Sequence, residues 1–293
     1  MSIVGHELVV KDLKRLADAG DLPSYDDCST RPARGLPHAL LFFGPRRTGK
    51  RLVATGLAHY LEHKEFAVTE HILIDMMLLA PREKESIGVE EVRALQHFLA
   101  LRPNVSPYRM AIVDGAEFLT TEAQNALLKL AEEPPEAAII ILVASDPDAI
   151  LSTLRSRLQR FYFGPVGSSR VVEWLQKEHK VSAAKAHEAA QASHGVPGLA
   201  WDMLFNGDLQ KMRVHAKRFL VGTAMDRKEF LKGISTDESF RLDAFLEALL
   251  LEMTSSVLPR PAAWHRTVGL RADASRFNLN PRLQLAALAN VLT

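Results

Sequence analysis

Cysteine is almost missing from this sequence: Cys28 is the one residue of its kind among 293. A single thiol excludes an internal disulfide and any zinc site built from several cysteines, and Cys28 itself is expected to be incidental. No apolar run approaches the roughly 20 residues that span a bilayer. The opening MSIVGHELVVKDLKRL carries charges where a secretory leader is apolar. The chain is therefore expected in the cytoplasm, with no membrane contact. It also lacks an excess of charge of either sign, with 36 Lys+Arg against 35 Asp+Glu and a formal net charge of +1. The imbalance within it is mild: residues 206–293 hold 13 basic against 9 acidic residues, and residues 1–205 hold 23 against 26. A protein that grips DNA unaided presents a denser basic patch, because phosphate contacts supply most of the affinity. Any DNA contact is expected to be shared with other chains.

What is present reads as a globular protein, 47% hydrophobic and 24% charged, long enough for two or three domains. Up to about Gly164, short apolar runs alternate with segments of helical period, the pattern of an α/β sheet domain. Strands are predicted at Ala39–Phe43, Ile72–Ile74, Met110–Val113, Ile139–Val143 and Phe161–Phe163. Leu52, Val53, Leu57, Tyr60 and Leu61 recur at helical spacing, as do Val89, Val92, Leu95 and Leu99. The clearest helix follows Thr121, which pairs with Gln124 as a capping box, and Pro134 and Pro135 stop it. Beyond Gly164 strand signals cease. Short helices are predicted at Val171–Lys177, Ala183–Ala192 and Leu199–Phe205, with Gly195, Pro197 and Gly198 as breakers, and from Asn206 onward the chain reads as helical. Residues 21–37 and the stretch around Leu258 read as connectors.

The segment ALLFFGPRRTGKR sets Gly44, Gly49 and Lys50 in the order of a Walker A loop, after a strand and before a helix. In that setting backbone N–H groups and the helix N-terminus cradle an anion while the lysine reaches its terminal phosphates. The glycine-lysine spacing alone is a weak signal; the strand-loop-helix setting gives it weight. The next residue, however, is Arg51, where a working loop carries the Ser or Thr that ligates Mg²⁺, and a guanidinium cannot ligate a cation. Arg46 and Arg47 either face solvent or add charge where phosphates would lie. RMAIVDGAEFL reads as a Walker B strand ending in Asp114, but Gly115 stands where hydrolysing sites place the glutamate that activates water. Glu117, two residues on, is not expected to point the same way. Metal ligand and general base are both missing, so the loop is expected to hold a nucleotide or anion weakly at most, or to be plugged by its own side chains.

These residues resemble the AAA+ clamp-loader family of bacterial DNA polymerase III, and within it the delta-prime type. GLPHALLFFGPRRTGKRLVATGLAHYL, with His38 and Ala39 ahead of the first strand, looks like the family's entry into the loop, and GVEEVRALQHFLALRP resembles its next helix. TTEAQNALLKLAEEPP is the most specific piece. The likeness continues through LVASDPDAILSTLRSRLQRF, where Ser145 falls at the sensor 1 position and Ser156-Arg157 match the family's Ser-Arg-Cys motif, with Leu158 in place of the cysteine. It is good over about the first 165 residues and loose beyond them.

The resemblance implies an α/β AAA+ P-loop domain with a parallel sheet over 1–164, a small helical lid over 165–205 and an all-helical collar over 206–293, ending in the collar-like NPRLQLAALANVL. It implies that Arg157 is an arginine finger reaching into the ATP site of an adjacent subunit, where a permanently charged planar guanidinium neutralises developing phosphate charge. Local sequence alone favours a surface arginine in a salt bridge, and Arg155 and Arg160 are lesser candidates. Two features depart from relatives. Many carry a four-cysteine zinc module after the P-loop helix, whereas His63–His71 has no cysteine, so no zinc is expected; and Leu199 stands where nucleotide-binding members place the sensor 2 arginine. The implied function is a non-hydrolysing clamp-loader subunit with no required cofactor, part of the DNA polymerase III holoenzyme, a nucleotidyltransferase. Its implied partners are gamma/tau and delta subunits in a hetero-pentamer, the sliding clamp, and primed DNA through the complex. Arg51, Gly115 and Leu199 speak against the alternative of an ATPase motor subunit of gamma/tau type. The absent Ser/Thr speaks against a small-molecule kinase, and the near-zero charge against a stand-alone DNA binder.

Overall fold

Alternation along the strands decides which side of the sheet each residue covers. In the computed structural model, which describes residues 3–19, 35–68, 71–81, 86–234, 240–255, 261–276 and 279–292, helix α1 (Glu7–Ala19) precedes β1 (Ala39–Phe43), α2 (Lys50–His63), β2 (Met76–Leu79) and α3 (Val89–Ala100). β3 (Arg109–Asp114), α4 (Thr121–Glu132), β4 (Ala138–Ala144), the short α5 (Ser152–Arg155) and β5 (Gln159–Tyr162) follow. Cys28 and Leu258 lie outside the described residues. The five strands form one parallel sheet in the order β2-β3-β4-β1-β5. Within it Ala39 sits opposite Ile140, and Leu40 opposite Gln159.

Successive strand residues point to opposite faces. Leu41, Ala111, Val113, Ile140 and Leu142 therefore join one core with residues of α3 and α4, while Leu40, Phe42, Met110, Ile112 and Ile141 join a second core with residues of α1 and α2. β3 and β4 are covered on both faces, which is why they read as nearly unbroken apolar runs.

Four local expectations change. Ile72–Ile74 is not a strand: Ile72 is 90% exposed, and the edge strand is the Met-Met-Leu-Leu run that follows. Asp75 explains the shift. Its backbone N–H donates to Glu62, its buried carboxylate accepts the N–H groups of Asn104, Val105 and Ser106, and its carbonyl accepts the Met110 N–H of β3, so the register with β3 runs from Met76 onward. β5 runs Gln159–Tyr162, although the Phe163 N–H still donates to the Phe43 carbonyl. Helix α4 is capped by Thr120, whose hydroxyl accepts from the Ala123 N–H. Gln124 is buried and clips the helix to the next loop, donating to Leu119 and Ala149 carbonyls and accepting from the Leu151 N–H. Pro197 begins a helix instead of breaking one, because the first helical turn has no use for its missing N–H.

The chain divides into two compact units, Met1–Arg170 and Val171–Thr293. The second unit takes in most of α6 (Ser168–Lys177), then α7 (Ala183–Ala192), α8 (Pro197–Phe205), α9 (Gly207–Val221), α10 (Ala224–Ile234), α11 (Leu242–Ser255), α12 (Pro261–Arg276) and α13 (Pro281–Leu292). All but the first six residues of the segment expected as lid, and all of the segment expected as collar, lie in it, meeting at Asn206, whose side chain caps α9. Met203 and Leu199 of α8 pack into the same core as Phe219, Phe245, Leu249 and Leu288.

Candidate nucleotide site

The loop leaving β1 has the backbone of a phosphate cradle. Gly44 has φ 137° and Gly49, at the N-cap of α2, φ 94°, both conformations that side-chain-bearing residues rarely adopt. At Gly44 sterics add to this, since a Cβ would stand 2.2 Å from the Phe163 carbonyl oxygen. Arg47 adopts a left-handed φ of 63° and is exposed. Thr48 is buried, its hydroxyl donating to the Pro45 carbonyl, and its own carbonyl lies 3.0 Å from His6 Nε2.

Two cations of the loop region, Lys50 and Arg51, are turned onto the protein. Lys50 is 6% exposed and its ammonium donates to the carbonyls of Gly44 at 2.7 Å and Pro45 at 2.6 Å. Burial lowers its pKa to about 8, against the opposing pull of Glu117 and Asp114. Arg51 reaches across to β3, where its Nη1 donates to Asp114 Oδ2 at 3.4 Å. Burial raises the Asp114 carboxyl and Arg51 partly offsets that rise. The residue that follows Lys50 in the Walker A-like loop thus pairs with the carboxylate that ends the Walker B-like strand.

Glu117 is the residue that sequence reasoning placed wrongly. One 3₁₀ turn over Ala116–Phe118, entered through Gly115 at φ 79°, brings its carboxylate back to the site. There it accepts the Ser145 N–H at 3.2 Å and lies 3.8 Å from Arg46, whose guanidinium also stands over the Phe118 ring. Ser145 is thus tied to the Walker B turn through its backbone. A Gly-x-Glu spacing ahead of a short turn was the available signal.

Arg157 lies away from this cluster, just after α5. Its Nη2 pairs with Glu132 Oε1 at 2.7 Å and its Nη1 donates to the Thr153 carbonyl at 2.8 Å, yet 41% of the side chain remains exposed. Glu132 belongs to the Glu-Glu-Pro-Pro run that ends α4, so the run and the arginine meet in space. Ser156 is exposed, its hydroxyl donating to the Thr153 carbonyl, and Leu158 is buried. Arg155 is held by Asp148 and the Pro147 carbonyl, whereas Arg160 is exposed on β5. His38 Nδ1 meets the Ala138 carbonyl, joining β1 to β4. In the second unit Leu199 is core-facing. No cluster of three His, Cys, Asp or Glu able to hold a metal occurs among the described residues, and none of their helices is long and apolar enough to cross a membrane.

Residues 32–167 match the family described as DNA polymerase III, delta subunit. Over 135 residues the chain is 36% identical to DNA polymerase III subunit delta' of Escherichia coli (strain K12), covering 46% of this chain and 40% of that protein. Over 174 residues it is 34% identical to DNA polymerase III subunit gamma/tau of Mycobacterium tuberculosis (strain ATCC 25618 / H37Rv), covering 55% and 28%. The chain thus spans less than half the length of these relatives. A gamma subunit-related protein of Thermotoga maritima shares the fold, with a TM-score of 0.58 at 17% identity over 97% of this chain and 98% of that one. The Walker A loop, the strand of Asp114, Ser145 and Arg157 all fall within the matched residues, the part of the chain that is similar to delta' and gamma/tau subunits of bacterial DNA polymerase III.

Proposed function

We propose that this chain is a non-hydrolysing clamp-loader subunit of delta-prime type, which supports ATP-dependent loading of the sliding clamp onto primed DNA. It lends Arg157 to the ATP site of a neighbouring subunit, works in the cytoplasm beside gamma/tau and delta subunits in a hetero-pentamer, and needs neither zinc nor bound nucleotide. The observation that carries the reading is the Arg51 guanidinium on Asp114, with Lys50 folded onto its own loop. A guanidinium on the carboxylate of Asp114 and a glycine in the general-base position both argue against hydrolysis, and the Glu117 carboxylate that reaches the site is taken up by the Ser145 N–H and Arg46. Arg157 supports the second half of the reading, being a guanidinium braced by Glu132 and the Thr153 carbonyl with 41% of its side chain exposed.

The test is a loader reconstituted from this chain with gamma/tau and delta subunits, comparing Arg157→Ala with Arg155→Ala after gel filtration confirms assembly. Arg157→Ala is expected to cut clamp- and DNA-stimulated ATP hydrolysis steeply, fingers of this kind being worth roughly 10³ to 10⁵ at a single site, with a smaller loss where several sites add to the rate. Arg157→Lys rescues poorly, because an ammonium lacks the planar fork. Unchanged hydrolysis in an assembled Arg157→Ala complex removes the finger. The identity to gamma/tau subunits favours a second reading, an ATPase motor; Lys50-dependent ATP turnover by the isolated chain would establish it instead.

A further inference from the structure

The second unit holds a cleft of about 510 Å³ between α7, the end of α8 and the start of α9, within the size range of small-ligand sites. Much of its lining is apolar. Val181, Ala189, Met203 and Leu204 contribute to it, and the Phe205 ring lines it while remaining 46% exposed. His179 lines the cleft beside Phe205, their ring centres 5.6 Å apart.

The charged part of the lining is mostly of one sign. Lys180 and Lys185 are exposed, and neither makes an ion pair among the described residues. Arg213 is already engaged by Glu252 at 2.8 Å, and Glu188 supplies one negative charge. His179 adds an unmet demand. Its Nε2 is buried without a hydrogen-bond partner among the described residues, and so is Nε1 of Trp174, whose ring packs edge-on to the His179 ring at 4.8 Å. A buried polar atom left unpaired raises the free energy of the state that holds it. The residue that follows, Lys180, is held at a left-handed φ of 53°. Two departures from relaxed structure thus fall on adjacent residues in the lining of one cleft.

We propose that this cleft binds a small organic carboxylate with an apolar tail. The tail covers Val181, Met203 and Phe205, and the carboxylate lies by Lys180 and Lys185, where it accepts a hydrogen bond from His179 once that ring turns its Nε2 toward the cleft. An apolar lining with a few converging polar groups is the ordinary make-up of a small-ligand site. Inorganic phosphate or sulfate would meet the lysines but leave the apolar lining wet. A neutral alcohol would cover that lining but leave both lysines and His179 unpaired, and an organic cation would be repelled. Binding here involves neither Arg157 nor the nucleotide loop, and its assay contains neither ATP nor other subunits, so its failure leaves the clamp-loader reading untouched.

The experiment titrates the full chain with octanoate, octan-1-ol and octylammonium in a calorimeter. Octanoate is expected to bind at least about tenfold more tightly than octan-1-ol, and octylammonium more weakly than either. Lys180→Asn with Lys185→Gln is expected to weaken octanoate roughly two- to thirty-fold, the value of two exposed charge contacts, and to leave octan-1-ol unchanged. Asparagine is chosen at position 180 because it tolerates a left-handed backbone. Phe205→Ala is expected to weaken octanoate and octan-1-ol alike, roughly three- to tenfold for a ring already half exposed. His179→Phe keeps the ring packing and removes the orphaned nitrogen, so it should weaken octanoate roughly tenfold without lowering the melting temperature. Lys180, Lys185 and Phe205 are exposed, so their variants should melt within a few degrees of the natural protein, which a thermal melt checks. Absence of octanoate binding by the natural protein overturns the proposal, as does equal affinity for octan-1-ol or octylammonium, or native octanoate affinity in any of these folded variants.

Discussion

Replacing Arg51 with threonine separates the two effects of its guanidinium, a contact that holds α2 to β3 and a charge that excludes metal. The first effect is small. Unit charges about 4 Å apart attract by about 1 kcal/mol in water, and this pair, 3.4 Å apart with side chains 55% and 28% exposed, belongs with the surface bridges worth about 0.5–1 kcal/mol. The variant should melt only about 1–4 °C lower. The second effect is larger in consequence. Without Arg51 the Asp114 carboxylate is uncovered beside a hydroxyl that can ligate Mg²⁺, in a loop whose glycine backbone already has the phosphate-binding shape. Calorimetric titration with ADP should then show affinity rising at least about tenfold when Mg²⁺ is added, whereas the natural protein should show no metal effect. Hydrolysis of ATP should stay absent, since Gly115 is untouched. A folded Arg51→Thr protein whose ADP binding ignores Mg²⁺ would refute the idea that Arg51 is what closes this site.

Asp75→Ala should be far more damaging, because it orphans the N–H groups of Asn104, Val105 and Ser106 and leaves the buried Arg109 without its carboxylate. A loss of about 3–5 kcal/mol follows, or about 6–20 °C in a calorimetric melt; a loss under about 1 kcal/mol would contradict it. Burial alone would raise the Asp75 carboxyl, but the Val105, Ser106 and Asn104 N–H groups and Arg109 carry it below its usual value. Its contribution should therefore persist above the unfolded pKa and disappear as pH falls through the lowered one. Lys50 has the opposite character, its folded pKa lying near 8 against an unfolded 10.5 because of burial. Between those values the unfolded chain binds a proton that the folded one does not, so urea stability measured relative to Lys50→Met should climb from about pH 8 to about pH 10.5. A flat difference across that window would show that the ammonium is not desolvated.

How much of this was legible depended on how local each determinant is. Gly44 and Gly49 could be read because their left-handed backbone admits little else, and Arg51 because the chemistry of its position is fixed by one neighbour, Lys50. Strand β2 was misplaced because β-branched Ile72 and Ile74 outrank Met76–Leu79 by propensity, while the choice was made by Asp75 and a loop thirty residues on. Glu117 was turned the wrong way because its direction depends on a single 3₁₀ turn, and Thr120 took the cap from Thr121 because Gln124 was needed to tie α4 to Leu151. Arg157 sits at the far end of this scale. Among the described residues its guanidinium makes only local contacts, an exposed pairing with Glu132 and bonds to the Thr153 carbonyl and the Ser156 hydroxyl, which contribute little to stability. Its reading as a finger therefore rests on the likeness to relatives and on its 41% exposure, not on a demand of its own fold. That is why the proposed role has to be measured in a reconstituted complex.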